Sequence, residues 1–165
     1  MSGERVWKRA QSVRLEVADT IEPVISVCFD RKIPIEMKHE LRSFVRYIET
    51  NYRIPITLYV DFEYKHYLVS REGKRVGYLF YWSDFVSYPV FQNFDDIPVI
   101  RLPVRTERSS VEDILFSFLE AMTDYYEWIC NEPVAGAHDL DEKDAEAVLE
   151  KYLEARDSGE WNFIG

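Results

Sequence analysis

The sequence is poor in the residues on which metal, redox and nucleotide chemistry depend. Among 165 residues there are two cysteines and three histidines. Cys28 and Cys130 stand alone, neither in a CxxC nor beside a histidine, which argues against zinc, redox and disulfide roles. Both read as buried thiols. His39, His66 and His138 show no HxxxH, HExxH or HxH spacing, so no metal or cofactor is expected. Six glycines leave no GxGxxG motif and no phosphate-cradling P-loop, and GxSxG and SxxK are also missing. No apolar run approaches the ~20 residues of a membrane span. The segment MSGERVWKRA lacks the apolar stretch of a secretory signal, so a cytoplasmic location is expected.

Basic residues are in deficit. Twenty Lys and Arg face thirty Asp and Glu, a net charge of −10. Phosphate backbones and anionic membranes both require clustered cations, so neither nucleic acid nor a membrane surface is an expected partner. The acidity is uneven. Residues 1–53 hold 10 basic and 8 acidic residues (net +2), residues 54–130 hold 7 and 12 (net −5), and residues 131–165 hold 3 and 10 (net −7). Such a surface would steer a basic partner, and it also keeps a protein soluble.

Aromatic residues are abundant. Ten Phe, eleven Tyr and four Trp make 15% of the chain. Rings with polar tips are enriched at contact surfaces, although a core built of rings has the same composition. With 47% hydrophobic and 30% charged residues the chain is globular in composition, and at this length it buries roughly 70% of its unfolded surface without a metal or disulfide.

Periodicity places the elements. A helix is expected at 4–14 and a strand over 24–29. Met37, Leu41, Phe44, Val45, Ile48 and Tyr52 form one helical stripe over 35–52, with Lys38, Arg42, Arg46 and Glu49 opposite. Ile56, Leu58, Val60 and Phe62 alternate with polar residues as a half-wet strand. The runs 64–70 and 75–82 flank Arg71–Lys74, and Gly73 suits a hairpin turn there. The second arm, apolar on both faces, is expected to be central. Residues 83–96 read as a long irregular loop. Residues 97–104 read as an edge strand, because Pro98 and Pro103 remove ladder donors. Ser109 and Ser110 each stand three residues before an acid, the spacing of a capping box, and open a helix over 110–130. A last helix is expected at 141–156, stopped by Ser158-Gly159.

The expected fold is α+β. A four- or five-stranded, mostly antiparallel sheet would pack against two long amphipathic helices, with an additional C-terminal helix. Residues 1–132 form the core domain; residues 133–165 form a linker, an acidic helix and a tail docked on it.

Few constellations suggest catalysis. Asp139, Asp141 and Glu150 occupy positions 1, 3 and 12 of a calcium loop, but Asp144 stands where that loop needs glycine, and the segment fits a helix start better. Asp61/Glu63 and Asp95/Asp96 are paired carboxylates, suited to acid–base work only in a pocket that separates their pKa values. Glu142, Glu146, Glu150 and Glu154 recur at intervals of four as one negative stripe.

The composition therefore points to a non-catalytic protein-binding module, of the kind an inhibitor or immunity-type protein represents, facing a basic effector. Its expected contact residues are Asp84, Phe85, Tyr88, Phe91, Phe94, Asp95 and Asp96. Two alternatives remain. One is a ligand-binding protein or enzyme with a pocket between the sheet and loop 83–96, lined by Tyr59, Tyr81, Tyr88 and Arg101. The other is a self-associating structural subunit of phage or mobile-element type, a homo-oligomer whose rings bury one another.

Overall fold

The computed structural model describes residues 24–66, 68–69, 75–76, 84–88, 97–105, 110–130 and 138–163. The first described elements are strand β1 (Ile25–Phe29), helix α1 (Ile35–Asn51) and strand β2 (Leu58–Glu63). A 17-residue helix between two strands returns the chain to the end of the sheet where it began. β1 and β2 accordingly pair in parallel, with Ile25 opposite Leu58 and Phe29 opposite Phe62. Strands β3 (Leu68–Val69) and β4 (Arg75–Val76) form a separate antiparallel ladder. Strands β5 (Asp84–Tyr88) and β6 (Ile97–Pro103) follow, then helices α2 (Val111–Cys130) and α3 (His138–Asp157). The main sheet has the order β1-β2-β6-β5; β6 runs parallel to β2, and β5 runs antiparallel to β6.

This corrects the expected architecture. The sheet is not mostly antiparallel: β1, β2 and β6 are mutually parallel, and β5 alone reverses. There are three long helices instead of two, since α3 begins at His138 and matches α2 at 20 residues. The helix between β1 and β2 forces a parallel crossover there, and β6 pairs with β2 only after the chain has passed through 64–96, so the paired strands are not joined by short turns. Residues 84–88, expected within an irregular loop, are a strand paired to β6. β6, expected at an edge, is internal. Of the arm 75–82, expected at the centre, Arg75 and Val76 pair with β3, and 77–82 lie outside the described residues. The helix expected at 4–14 lies outside the described residues.

The prolines of β6 show how it tolerates a central place. The Val104 amide donates to the Glu63 carbonyl at 2.9 Å, so alternation turns even-numbered amides toward β2 and odd-numbered ones toward β5. Pro98 thus lacks its donor on the β2 side, one position before that ladder starts at Val99 opposite Tyr59. Pro103 lacks its donor on the β5 side, beyond the last pair, Arg101 opposite Asp84. Each proline sits where the ladder has already run out.

The helices cover one face of the sheet. Ile25, Leu58, Val60, Phe62, Ile100 and Leu102 are buried on that face. The expected α1 stripe is found at Met37, Leu41, Phe44, Val45 and Ile48, while Tyr52 is half-buried. Phe118 of α2 lies 5.8 Å from Phe44 and 6.5 Å from Phe62, which joins both helices to the strands beneath. α2 starts at a reciprocal capping box: the Asp113 amide donates to Ser110 Oγ at 3.1 Å, and the Ser110 amide donates to Asp113 Oδ2 at 3.3 Å. Two buried tyrosines of α2 pin the turn between α1 and β2. The Tyr126 hydroxyl donates to the Arg53 carbonyl at 2.8 Å, and the Tyr125 hydroxyl donates to the Ile56 carbonyl and accepts from the Ile56 amide. Burial raises the Tyr125 hydroxyl far above its ordinary pKa, so it stays a donor at any physiological pH.

α1 is also buried on a second side, at Ser43 and Tyr47, where α3 and the tail dock. Tyr152 packs 4.7 Å from Phe44 and 5.2 Å from Tyr47, and Trp161 lies 5.4 Å from Tyr47. With Phe29 stacked 5.2 Å from Phe62, seven rings run unbroken from β1 to the tail: Phe29, Phe62, Phe118, Phe44, Tyr152, Tyr47 and Trp161. Each fully buried ring contributes roughly 1.5–3 kcal/mol. Polar tips along this chain find one another. The Trp161 indole donates to Ser43 Oγ at 3.1 Å, and the Tyr152 hydroxyl lies 3.2 Å from Ser43 Oγ and 3.3 Å from Glu40 Oε1. A carboxylate only accepts, so the single phenol proton goes to Glu40 and Ser43 supplies the proton between the two hydroxyls. Arg156 pairs with the same Glu40 oxygen. α3 stops at Gly159, whose φ of +79° suits a residue without Cβ, and the Trp161 amide caps the Ala155 carbonyl at 2.8 Å.

Replacing Ser110 with Ala removes one arm of the capping box. We expect a loss of about 1 kcal/mol, seen as a lower urea midpoint with an unchanged denaturant slope.

Candidate functional site

The face of the sheet away from the helices is polar. Period two assigns Ser26 and Cys28 of β1, Tyr59, Asp61 and Glu63 of β2, and Val99 and Arg101 of β6 to it. Tyr59 is 41% exposed, and Cys28 is exposed instead of buried as the sequence suggested, because its strand position falls on this face. A parallel sheet normally has helices on both sides; here, among the described residues, they lie on one.

Parallel register brings Asp61 and Arg101 opposite one another. Arg101 reaches along the strand to Glu63, with Nε 2.8 Å from Oε2 and Nη2 3.2 Å from Oε1. This two-point contact is the strong form of an arginine–carboxylate pair. Lys65 Nζ lies 3.1 Å from Glu63 Oε1. Arg101 and Glu63 are 23% and 19% exposed at the side chain, so water screens this pair only partly.

The two carboxyls respond in opposite directions. Burial raises the Asp61 carboxyl, the Glu63 charge raises it further, and Arg101 opposes both. Burial would raise Glu63 as well, but hydrogen bonds from Arg101 and Lys65 outweigh it and hold that carboxyl below its usual range. Glu63 is thus a fixed anion committed to two cations, and Asp61 is the member that protonates first on acidification. The arrangement can store a proton on Asp61 and present a strip of alternating charge. Among the described residues no group of three or more His, Cys, Asp or Glu side chains could hold a metal ion, and no helix is long and apolar enough to cross a membrane.

The expected contact residues fare differently. Asp84, Phe85 and Tyr88 lie on β5, known by backbone register: Asp84 opposite Arg101, Phe85 opposite Ile100 and Tyr88 opposite Ile97. Phe91, Phe94, Asp95 and Asp96 lie outside the described residues. Of the alternative pocket, Tyr59 and Arg101 share the polar face, Tyr88 is placed by register, and Tyr81 lies outside the described residues. Sequence reasoning paired Asp61 with Glu63 but did not join them to Arg101, because the joining register is not a local property.

A second polar surface lies on α3. Glu146, Glu150 and Glu154 are all exposed, and none pairs with a cation among the described residues. Compared with known proteins, the chain matches no protein-family model, no curated sequence and no solved structure.

The opposed carboxyls give variants of opposite sign. In the folded chain Asp61 holds its proton to a higher pH than in the unfolded chain, so its ionisation opposes folding at neutral pH. Asp61→Asn should therefore raise the melting temperature at pH 7, and the gain should vanish below the ordinary carboxyl value of 3.8. Glu63 contributes stability above its ordinary value of 4.5 that is lost as the pH falls through its lower folded value. Glu63→Gln should cost about 2 kcal/mol at pH 7, since it strips a half-buried guanidinium of its anion. Thermal melts at pH 7 and pH 3.5 read both effects.

Proposed function

We propose that this protein is a non-catalytic binding module that engages a basic protein partner, in the manner of an inhibitor or immunity-type protein occluding a cationic effector. The observation that carries this reading is the ridge of Glu146, Glu150 and Glu154, exposed along α3 with no cation of the described chain paired to it. Like charges at intervals of four cost a helix a few tenths of a kcal/mol per pair, and a cationic partner would offset that cost. The C-terminal 35 residues hold 10 acidic and 3 basic residues, so the field at this end of the chain would speed encounter with such a partner. The contact residues expected on 84–96 do not bear on this reading, because their side chains are not described.

A second reading has one observation in its favour. Asp61 and Glu63 share a strand face and have their carboxyls pushed apart, the pattern that separates a proton donor from a fixed anion. Both are already close to Arg101, and Glu63 is committed to two cations, which favours a structural ion-pair strip over acid–base chemistry.

The full chain, immobilised, should capture a partner with a basic isoelectric point from lysate. Raising salt from 0.1 to 1 M shortens the screening length from about 10 Å to about 3 Å and should weaken capture at least tenfold. An acidic partner, or capture indifferent to salt, would overturn the proposal.

A further inference from the structure

The end of α1, the last turn of α3 and the tail enclose an open groove of about 560 Å³. Its aromatic walls are Tyr47 and Trp161, set edge to face at 5.4 Å. Glu154 and Glu160 stand on it as two carboxylates, with Lys151 as the lone cation. None of these three charged groups forms an ion pair with a described residue. Thr50 and Asn51 also line the groove, but the Thr50 hydroxyl donates to the Arg46 carbonyl at 2.8 Å and the Asn51 amide donates to the Tyr47 carbonyl at 2.9 Å. Neither of these two groups is therefore offered to the carboxylates. Tyr47 is 8% exposed, so its ring forms a fixed wall of the groove. Burial raises the hydroxyl of Tyr47, and the Glu160 charge raises it further, so the carboxylate field reaches the ring.

We propose that this groove is the seat of an arginine side chain from the protein partner, its guanidinium between the Glu154 and Glu160 carboxylates and its stem against Tyr47 and Trp161. The inference rests on the binding function proposed above and names the place where that function is exercised. Arginine fits better than lysine. A planar guanidinium offers five donors, enough for two carboxylates and a phenol oxygen at once, and it stacks on aromatic faces, whereas an ammonium is a strongly hydrated point charge. The groove is large enough for such a side chain. Its rings are already fixed by the core, because the Trp161 indole is tied to Ser43 and Tyr47 packs on Tyr152, so little ordering remains to be done on binding.

The test uses the full chain labelled with ¹⁵N, with the Trp161 indole resonance assigned from Trp161→Phe. The probes are acetylated hexa-arginine amide and hexa-lysine amide. Hexa-arginine should move the Trp161 indole resonance saturably and bind at least threefold more tightly than hexa-lysine. The paired variant Glu154→Gln/Glu160→Gln should weaken it at least tenfold, while Glu36→Gln/Glu112→Gln, two exposed acids at the starts of α1 and α2 away from the ridge and the groove, should weaken it no more than twofold. If the peptide binds without moving Trp161, or if the two paired variants weaken it equally, the groove is not the seat, although a charge-steered binding function survives. If neither peptide binds at low salt, both the groove and the wider function fail.

Discussion

The structure depends on one buried polar node set inside a chain of rings. Ser43 lies on α1 at a position that helix periodicity alone would leave beside the main apolar stripe. It is buried because Tyr152 and Trp161 close over it, and its hydroxyl is the acceptor for the indole and the neighbour of the phenol. Buried polar groups are costly when unmatched and specific when matched. Here each member has its partner, down to Glu40 and Arg156 at the margin. The node fixes how α3 and the tail sit on α1, and that placement creates the groove between them.

The sheet imposes the other constraint. One face carries the aliphatic and aromatic core; the other carries Tyr59, Asp61, Glu63 and Arg101. Both helices that contact the strands lie on the apolar side, so the polar side holds its charges by pairing them along and across strands. Glu63 is neutralised by Arg101 and Lys65, which quiets this face electrically. The unpaired acids of α3 are a different case, because no cation of the described chain answers them. The two polar surfaces therefore differ in kind: the charges of the sheet answer one another, and Glu146, Glu150 and Glu154 of α3 meet no cation among the described residues.

Local patterns were legible in the sequence. The α1 stripe, the alternation of β2, the Ser110–Asp113 box and the stop at Gly159 all follow from spacing within one element. Properties set by distant segments were not. Pro98 and Pro103 argued for an edge strand, but the outcome depends on which amide faces which neighbour and where each ladder ends, and spacing within β6 contains neither fact. Ser43 and Tyr47 looked like the flank of a helix until α3 covered them. Asp61 and Arg101 meet through the parallel register of β2 with β6, a pairing of distant segments that spacing within either strand does not contain. Part of the aromatic excess is core, since seven rings form one continuous path through it; the rings of 85–94, expected at a contact surface, have no described side chains.

The most direct measurement of the central claim is a double-mutant cycle between Ser43 and Trp161, read by urea unfolding. Ser43→Ala strands the half-buried indole N–H, and Trp161→Phe keeps a ring but removes that donor. If the tail is locked into the core through this node, each single change costs about 1–2 kcal/mol and the double costs no more than the larger single. Strictly additive losses, or a Trp161→Phe chain as stable as the parent, would contradict the account.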